Sequence, residues 1–185
     1  MKIGLVGESP HDTASVKNLL ERVYKEVEFV NLIEDIRGSQ LDQMQPTKRI
    51  LRIEYQDHKP DLVIFIRDLD GLITDREKLA KRFEYFREFR SVVDKKAIYM
   101  LNIFEIEALI LCDLNAFQEH YSCQCTCNED PHSVENPKEY LRLLNKHYRE
   151  VDNADIFAKI EHSELLVKSR YYKQFVDRLD KAVSA

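Results

Sequence analysis

The chain has no tryptophan and only four glycines among 185 residues, too few for the many tight turns of a β-sandwich. It also lacks an excess of positive charge. Lys and Arg total 28 against 33 Asp and Glu, a formal net charge of −5. That balance is awkward for a nucleic-acid enzyme but no veto, because phosphate is gripped by local Lys/Arg patches rather than by the whole-molecule total. No apolar run approaches the ~20 residues of a membrane span. The amino terminus enters a strand-like segment without the basic and apolar regions of a signal peptide, so a cytoplasmic protein with no membrane partner is expected. Three signatures are missing as well: a Gly-x-x-x-x-Gly-Lys phosphate cradle, a Gly-x-Gly-x-x-Gly turn after the first strand, and a Gly-x-Ser-x-Gly elbow. Their absence sets aside P-loop NTPases, the common dinucleotide folds and serine hydrolases of that type.

Cysteine is sparse and crowded. Three of the four, Cys123, Cys125 and Cys127, form Cys-x-Cys-x-Cys, with Cys112 upstream and His120 and His132 on either side. Zinc knuckles use Cys-x-x-Cys, whose two intervening residues turn both sulfurs inward. The shorter spacing is read as pointing Cys123 and Cys127 one way and Cys125 the other, so a reduced-thiol loop is expected rather than a zinc site.

What is present is an alternation of strand-like and helical segments. Lys2–Val6, Glu28–Ile33, Leu62–Ile66 and Ala97–Ile103 read as strands, the third apolar throughout and so buried on both faces. Asp12 or Thr13 is expected to cap a helix carrying Val16, Leu19, Leu20, Val23 and Val27. Pro46 opens a second after a surface loop around Gly38–Gln45. Thr74 or Asp75 caps a third, from about Arg76 to Val92, that buries Leu79, Phe83, Phe86 and Phe89. A fourth runs from Phe104 to Leu111. This βαβαβαβα order implies a Rossmann-like α/β domain over residues 1–114, with a four-stranded, mainly parallel sheet in the order 2-1-3-4. Residues 115–185 hold no strand pattern and read as a helical extension packed on it.

Two acidic clusters directly follow apolar strands: Glu8-Ser9-Pro10-His11-Asp12 and Asp68-Leu69-Asp70-Gly71. Ending a buried strand in carboxylates is costly unless that edge is wet or holds a cation. In parallel sheets both clusters fall at the carboxyl edge, where ligands bind, and Glu105 and Glu107 follow the fourth strand there. Such a site suits Mg²⁺, or Mn²⁺, which takes oxygen ligands, acidifies bound water and screens phosphate charge. Asp68 and Asp70 are expected to reach the edge together, with Gly71 easing the turn. Glu105 and Glu107, two apart on a helix, should face different ways. Lys78, Lys81, Arg82 and Arg87 read as a solvated helix face paired with neighbouring glutamates. Lys168, Arg170, Tyr171, Tyr172 and Lys173 make a basic-aromatic patch that would suit single strands, with an ordinary amphipathic helix end as the default reading.

Glu8-x-x-x-Asp12 followed by Asp68-x-Asp70 resembles the TOPRIM domain of topoisomerases, primases and overcoming-lysogenization-defect nucleases. The segments Phe104–Asp113, Pro137–Leu141 and Ser169–Leu179 are similar to a family of small stand-alone TOPRIM-like bacterial proteins, DUF4276. The resemblance implies a Mg²⁺- or Mn²⁺-dependent nuclease on DNA or RNA. In it Glu8 is acid/base or ligand, Asp68 and Asp70 are ligands, and Asp12 and Glu107 are further candidates. It also implies an ATPase partner in bacterial genome defence, with self-association left open. TOPRIM domains usually carry glycine after the first glutamate, where this chain has Ser9. A catalytically inert TOPRIM-like interaction module is the alternative reading.

Overall fold

The structure, a computed structural model, describes residues 1–33 and 44–184. Strands β1 (Lys2–Val6), β2 (Glu28–Ile33), β3 (Leu62–Asp68) and β4 (Ala97–Asn102) form one sheet in the expected order β2-β1-β3-β4. All three pairings are parallel. Helix α1 (Pro10–Glu21) follows β1, α2 (Met44–His58) precedes β3, and α3 (Arg76–Arg90) links β3 to β4. Short helices α4 (Ala108–Cys112), α5 (Leu114–Tyr121), α6 (Pro137–Leu144), α7 (Asn153–Phe157) and α8 (His162–Lys168) lead to the long α9 (Arg170–Val183). The loop expected at Gly38–Gln45 falls largely outside the described residues.

Strand β3 explains the two-sided architecture. Successive side chains on a strand point to opposite faces. Leu62, Ile64 and Ile66 accordingly join one core with Ile3, Leu5 and Met100, and Val63 and Phe65 join another. The first core is covered by α1 and by helices from the carboxy-terminal third, whose Phe117, Phe157, Leu165 and Leu179 are fully buried in it. Polar contacts fasten the same surfaces: Asn18 Nδ2 donates to Ala154 O at 2.8 Å and Arg22 to Ile160 O at 2.7 Å.

The second core is aromatic. Tyr85 stacks on Phe89 with centroids 4.3 Å apart, and Phe86 on Tyr99 at 4.2 Å. Phe83, expected inside, is 55% exposed, because the buried side of α3 is Tyr85, Phe86 and Phe89.

Asp75 caps α3 as expected, but two other helix starts differ from expectation. The N-cap of α1 is Ser9, neither Asp12 nor Thr13. Its hydroxyl accepts from the Asp12 amide, and the Asp12 carboxylate accepts from the Ser9 amide, a reciprocal capping box. The expected helix from Phe104 begins only at Ala108. Phe104 adopts a left-handed backbone (φ 57°), so residues 104–107 form a turn.

Candidate functional site

β1 and β3 are neighbours in the sheet, so their carboxyl ends lie side by side. Glu8 leaves β1 beside the end of β3. One carboxylate oxygen accepts from the Asp68 backbone amide at 2.9 Å and lies 3.1 Å from Arg67 Nε. Arg67 is 1% exposed, with its guanidinium 4.6 Å from the centre of the Tyr85 ring. A buried guanidinium demands a carboxylate, and Glu8 supplies it.

Asp68 ends β3 pointing inward, and Asn102 Nδ2 donates to it at 3.0 Å from the neighbouring end of β4. Burial raises its pKa well above the ordinary carboxylate value, and the charges of Asp12, Glu8 and Glu107 push it further the same way. Asp12 is pushed up to about 6, first by burial and then by Glu8, against the opposing bond from Ser9. The first turn of α1 has therefore carried Asp12 towards Asp68, and the capping box fixes it there.

Glu107 is 2% exposed in the turn before α4 and pushed up to about 7, chiefly by burial. Asn153 Nδ2 donates to it at 3.0 Å and the Tyr148 hydroxyl at 3.4 Å. Lys138 on α6 lies 3.9 Å from Glu107, 3.9 Å from Glu105 and 3.4 Å from Glu150. Glu105 and Glu107 precede the helix instead of sharing its faces, so both turn to the same lysine.

Asp70 goes elsewhere. It takes a left-handed backbone (φ 55°), its carboxylate is 60% exposed, and it accepts from Arg82 at 2.8 Å. Arg82 Nε also donates to Asp68 O at 2.6 Å, and Lys78 Nζ donates to Asp70 O. Lys78 and Arg82 thus clamp the turn after β3, while Lys81 and Arg87 pair with Glu77 and Glu84 on the helix surface. Gly71 does not carry the left-handed turn. Its value is space, since a Cβ there would meet Lys78 Cδ at 2.9 Å.

Glu8, Asp12, Asp68 and Glu107 thus share one electrostatic neighbourhood, and Asp70 stands apart from it. Among the described residues, no three or more His, Cys, Asp or Glu side chains converge closely enough to hold a metal ion as they stand. The chemistry of the donor set nonetheless fits a hard divalent cation: it is all oxygen, and Asp12 and Asp68 repel each other. Each carboxylate accepts several bonds, so a capping or anchoring contact does not exhaust its lone pairs.

Arg67, Asn102 and Lys138 were not anticipated. The arginine has a legible signal: a lone Arg continuing an apolar strand into an aspartate needs a buried partner. Lys138, about 70 residues from Asp68, leaves none.

The thiols contradict the expected alternation. Cys123, Cys125 and Cys127 are all half-buried against the first core while Gln124 and Thr126 are exposed. A spacing of two repeats the same face of an extended chain. All four cysteines are free, and burial pushes Cys125 up to about 11 and Cys112 up to about 12.

Comparison with known proteins adds no relative: no family model matches the chain, and no curated protein or solved structure matches it. No helix among the described residues is long and apolar enough to cross a membrane.

Proposed function

We propose that the chain is a TOPRIM-like, Mg²⁺- or Mn²⁺-dependent phosphodiester-cleaving enzyme acting on DNA or RNA. Its centre is Glu8, Asp12 and Asp68, with Glu107 beside them. One observation carries the reading: Asp12 and Asp68 are buried within each other's field at the carboxyl edge of two adjacent parallel strands, and no cation is bonded to either side chain among the described residues. Such repulsion is costly without an ion and relieved by one.

Asp12 and Asp68, with Glu8, would hold the ion. When bound it supplies charge neutralisation at phosphate and a more acidic water. Because no three ligands converge as they stand, binding requires these side chains to draw together, which fits a modest affinity. Arg67 holds Glu8 aimed at the end of β3. Glu107, raised to about 7, is divided between its two protonation states near neutrality and serves as the proton carrier. Asn153, Tyr148 and Lys138 keep its carboxyl oriented. Asp70 serves the turn rather than the ion. An ATPase partner in genome defence belongs to the same reading.

Calorimetric titration of Mn²⁺ and a cleavage assay on labelled DNA and RNA test it together. Wild type should bind Mn²⁺ saturably and cut at least one substrate. Asp68→Asn should lose both, with cleavage down at least ~100-fold, the lower end of acid–base and metal contributions. Intact nucleic acids combined with no binding heat would overturn the reading.

A second reading, the catalytically inert module, is favoured by the built-in cations Arg67 and Lys138, which already offset Glu8 and Glu107. It expects a folded protein without Mn²⁺ heat.

A further inference from the structure

The sheet has two edges, and they are built differently. β2 carries Glu28 and Asn31, and its register with β1 shifts at Leu5/Val6. Charges and irregular register are how proteins blunt an edge against further pairing. β4 has neither device. Its sequence, Ala97-Ile98-Tyr99-Met100-Leu101-Asn102, holds no charge and no proline, and its register with β3 is unbroken from Val63↔Ala97 to Asp68↔Asn102. Among the described residues it pairs with β3 alone, leaving its other side as a row of backbone donors and acceptors with no strand partner there. Ala97, Ile98, Tyr99 and Leu101 are only half-buried.

A cavity of about 320 Å³ lies along this edge, between α3 on one face of the sheet and α9 on the other. Its walls are apolar: Leu79, Phe83 and Phe86 from α3, Tyr171 and Phe175 from α9, and Tyr99 and Leu101 from β4 itself. Arg170 and Arg178 line it, and no carboxylate does. On a chain of net charge −5, this is a locally positive trough with a hydrophobic floor.

We propose that the β4 edge is a docking site for an extended, acidic segment of a partner protein, which adds as a fifth strand between α3 and α9. Backbone pairing to β4 supplies the registration, alternate apolar side chains fill the space against Phe83 and Leu101, and acidic residues meet Arg170 and Arg178. A second copy of the chain fits less well, because a two-fold pairing of β4 with itself brings two sets of the same arginines to one interface. Single-stranded nucleic acid would use the arginines and rings but leave the strand's outward amides and carbonyls without matched partners. The inference stands apart from the metal centre and survives or fails without it.

The test uses the full chain and two synthetic peptides of alternating sequence, Glu-Val repeats and Lys-Val repeats, with oligo(dT) as the nucleic-acid probe. Binding is followed by calorimetry and by hydrogen exchange of the β4 amides. The acidic peptide should bind saturably and slow exchange at alternate β4 amides. Arg178→Glu, an exposed site whose change leaves the core intact, should weaken it about tenfold and favour the lysine peptide instead. N-methylation of alternate peptide amides should abolish binding in wild type and variant alike. Equal binding of the methylated peptide, protection of β4 by oligo(dT) but not by peptide, or β4 protection that grows with protein concentration alone would each overturn the proposal.

Discussion

At the residue scale, Glu8 has two duties, and they can be separated. It is the counter-charge of a buried arginine and a candidate ligand. Removing one partner of a buried ion pair typically costs about 3–5 kcal/mol. Glu8→Ala should therefore unfold at markedly lower urea than wild type, so its inactivity alone would be ambiguous. Glu8→Gln keeps an oxygen for the Arg67 and Asp68 bonds and should retain most of the stability while losing Mn²⁺ heat. Asp70 makes the opposite comparison. Asp70→Asn should leave Mn²⁺ binding unchanged and Asp68→Asn should abolish it, since only the latter side chain faces Asp12. Both acids were visible in the sequence as one motif. What separates them is a single left-handed residue and an arginine 12 positions on, neither of which a strand-end pattern encodes.

At the element scale, the turn from β1 into α1 is the piece that brings Asp12 into the site. Ser9 caps the helix with its hydroxyl. Ser9→Ala should cost about 1 kcal/mol and Ser9→Gly only a few tenths, by urea denaturation. The Asp12 carboxylate is held by the Ser9 backbone amide, which Ser9→Ala keeps, so this variant should lower stability while leaving Mn²⁺ affinity little changed. This element was legible in outline: apolar strand, small polar residues, Pro10 at the helix start, then apolar positions at helical spacing. The exact cap was not, because Ser9, Asp12 and Thr13 all have capping chemistry. The segment Phe104–Glu107 has helical character in the sequence and a turn in the structure for a related reason. Its composition suits a helix, and only the tertiary bonds Asp70 N–H to Phe104 O and Phe104 N–H to Gly71 O draw it into a turn.

For the molecule as a whole, the raised carboxyls set the pH dependence. Asp12, Asp68 and Glu107 bind protons more tightly folded than unfolded, so between about pH 4 and 7 the native state holds more of them. Stability from this source falls as pH rises, by on the order of 3 kcal/mol for each group raised by about two pH units. His132 and His162 act oppositely. Burial lowers their pKa, so their effect is complete by about pH 6.5. The urea midpoint should therefore decline from pH 6.5 to 8 in wild type, decline less in Asp68→Asn, where Glu107 still titrates, and recover on adding Mn²⁺ to wild type alone. A midpoint indifferent to pH over that interval would remove the buried, proton-holding carboxyls from which the metal centre is built. The four strands and their parallel sense could be read from the alternation of apolar strands with helical segments, because each element is encoded locally. The site's cations could not, because Lys138 and Arg82 reach it from helices whose docking depends on the whole fold.

The contacts Asn18–Ala154 and Arg22–Ile160, with Leu179 sealed in the same core as Ile3, bear on biosynthesis. A nascent polypeptide emerges with its first strand and helix lacking their cover until the final helix clears the ribosome. Long-range closure of this kind slows folding and leaves greasy surface open meanwhile. Translation of this protein should therefore lean on chaperones that shield an amino-terminal half waiting for its lid.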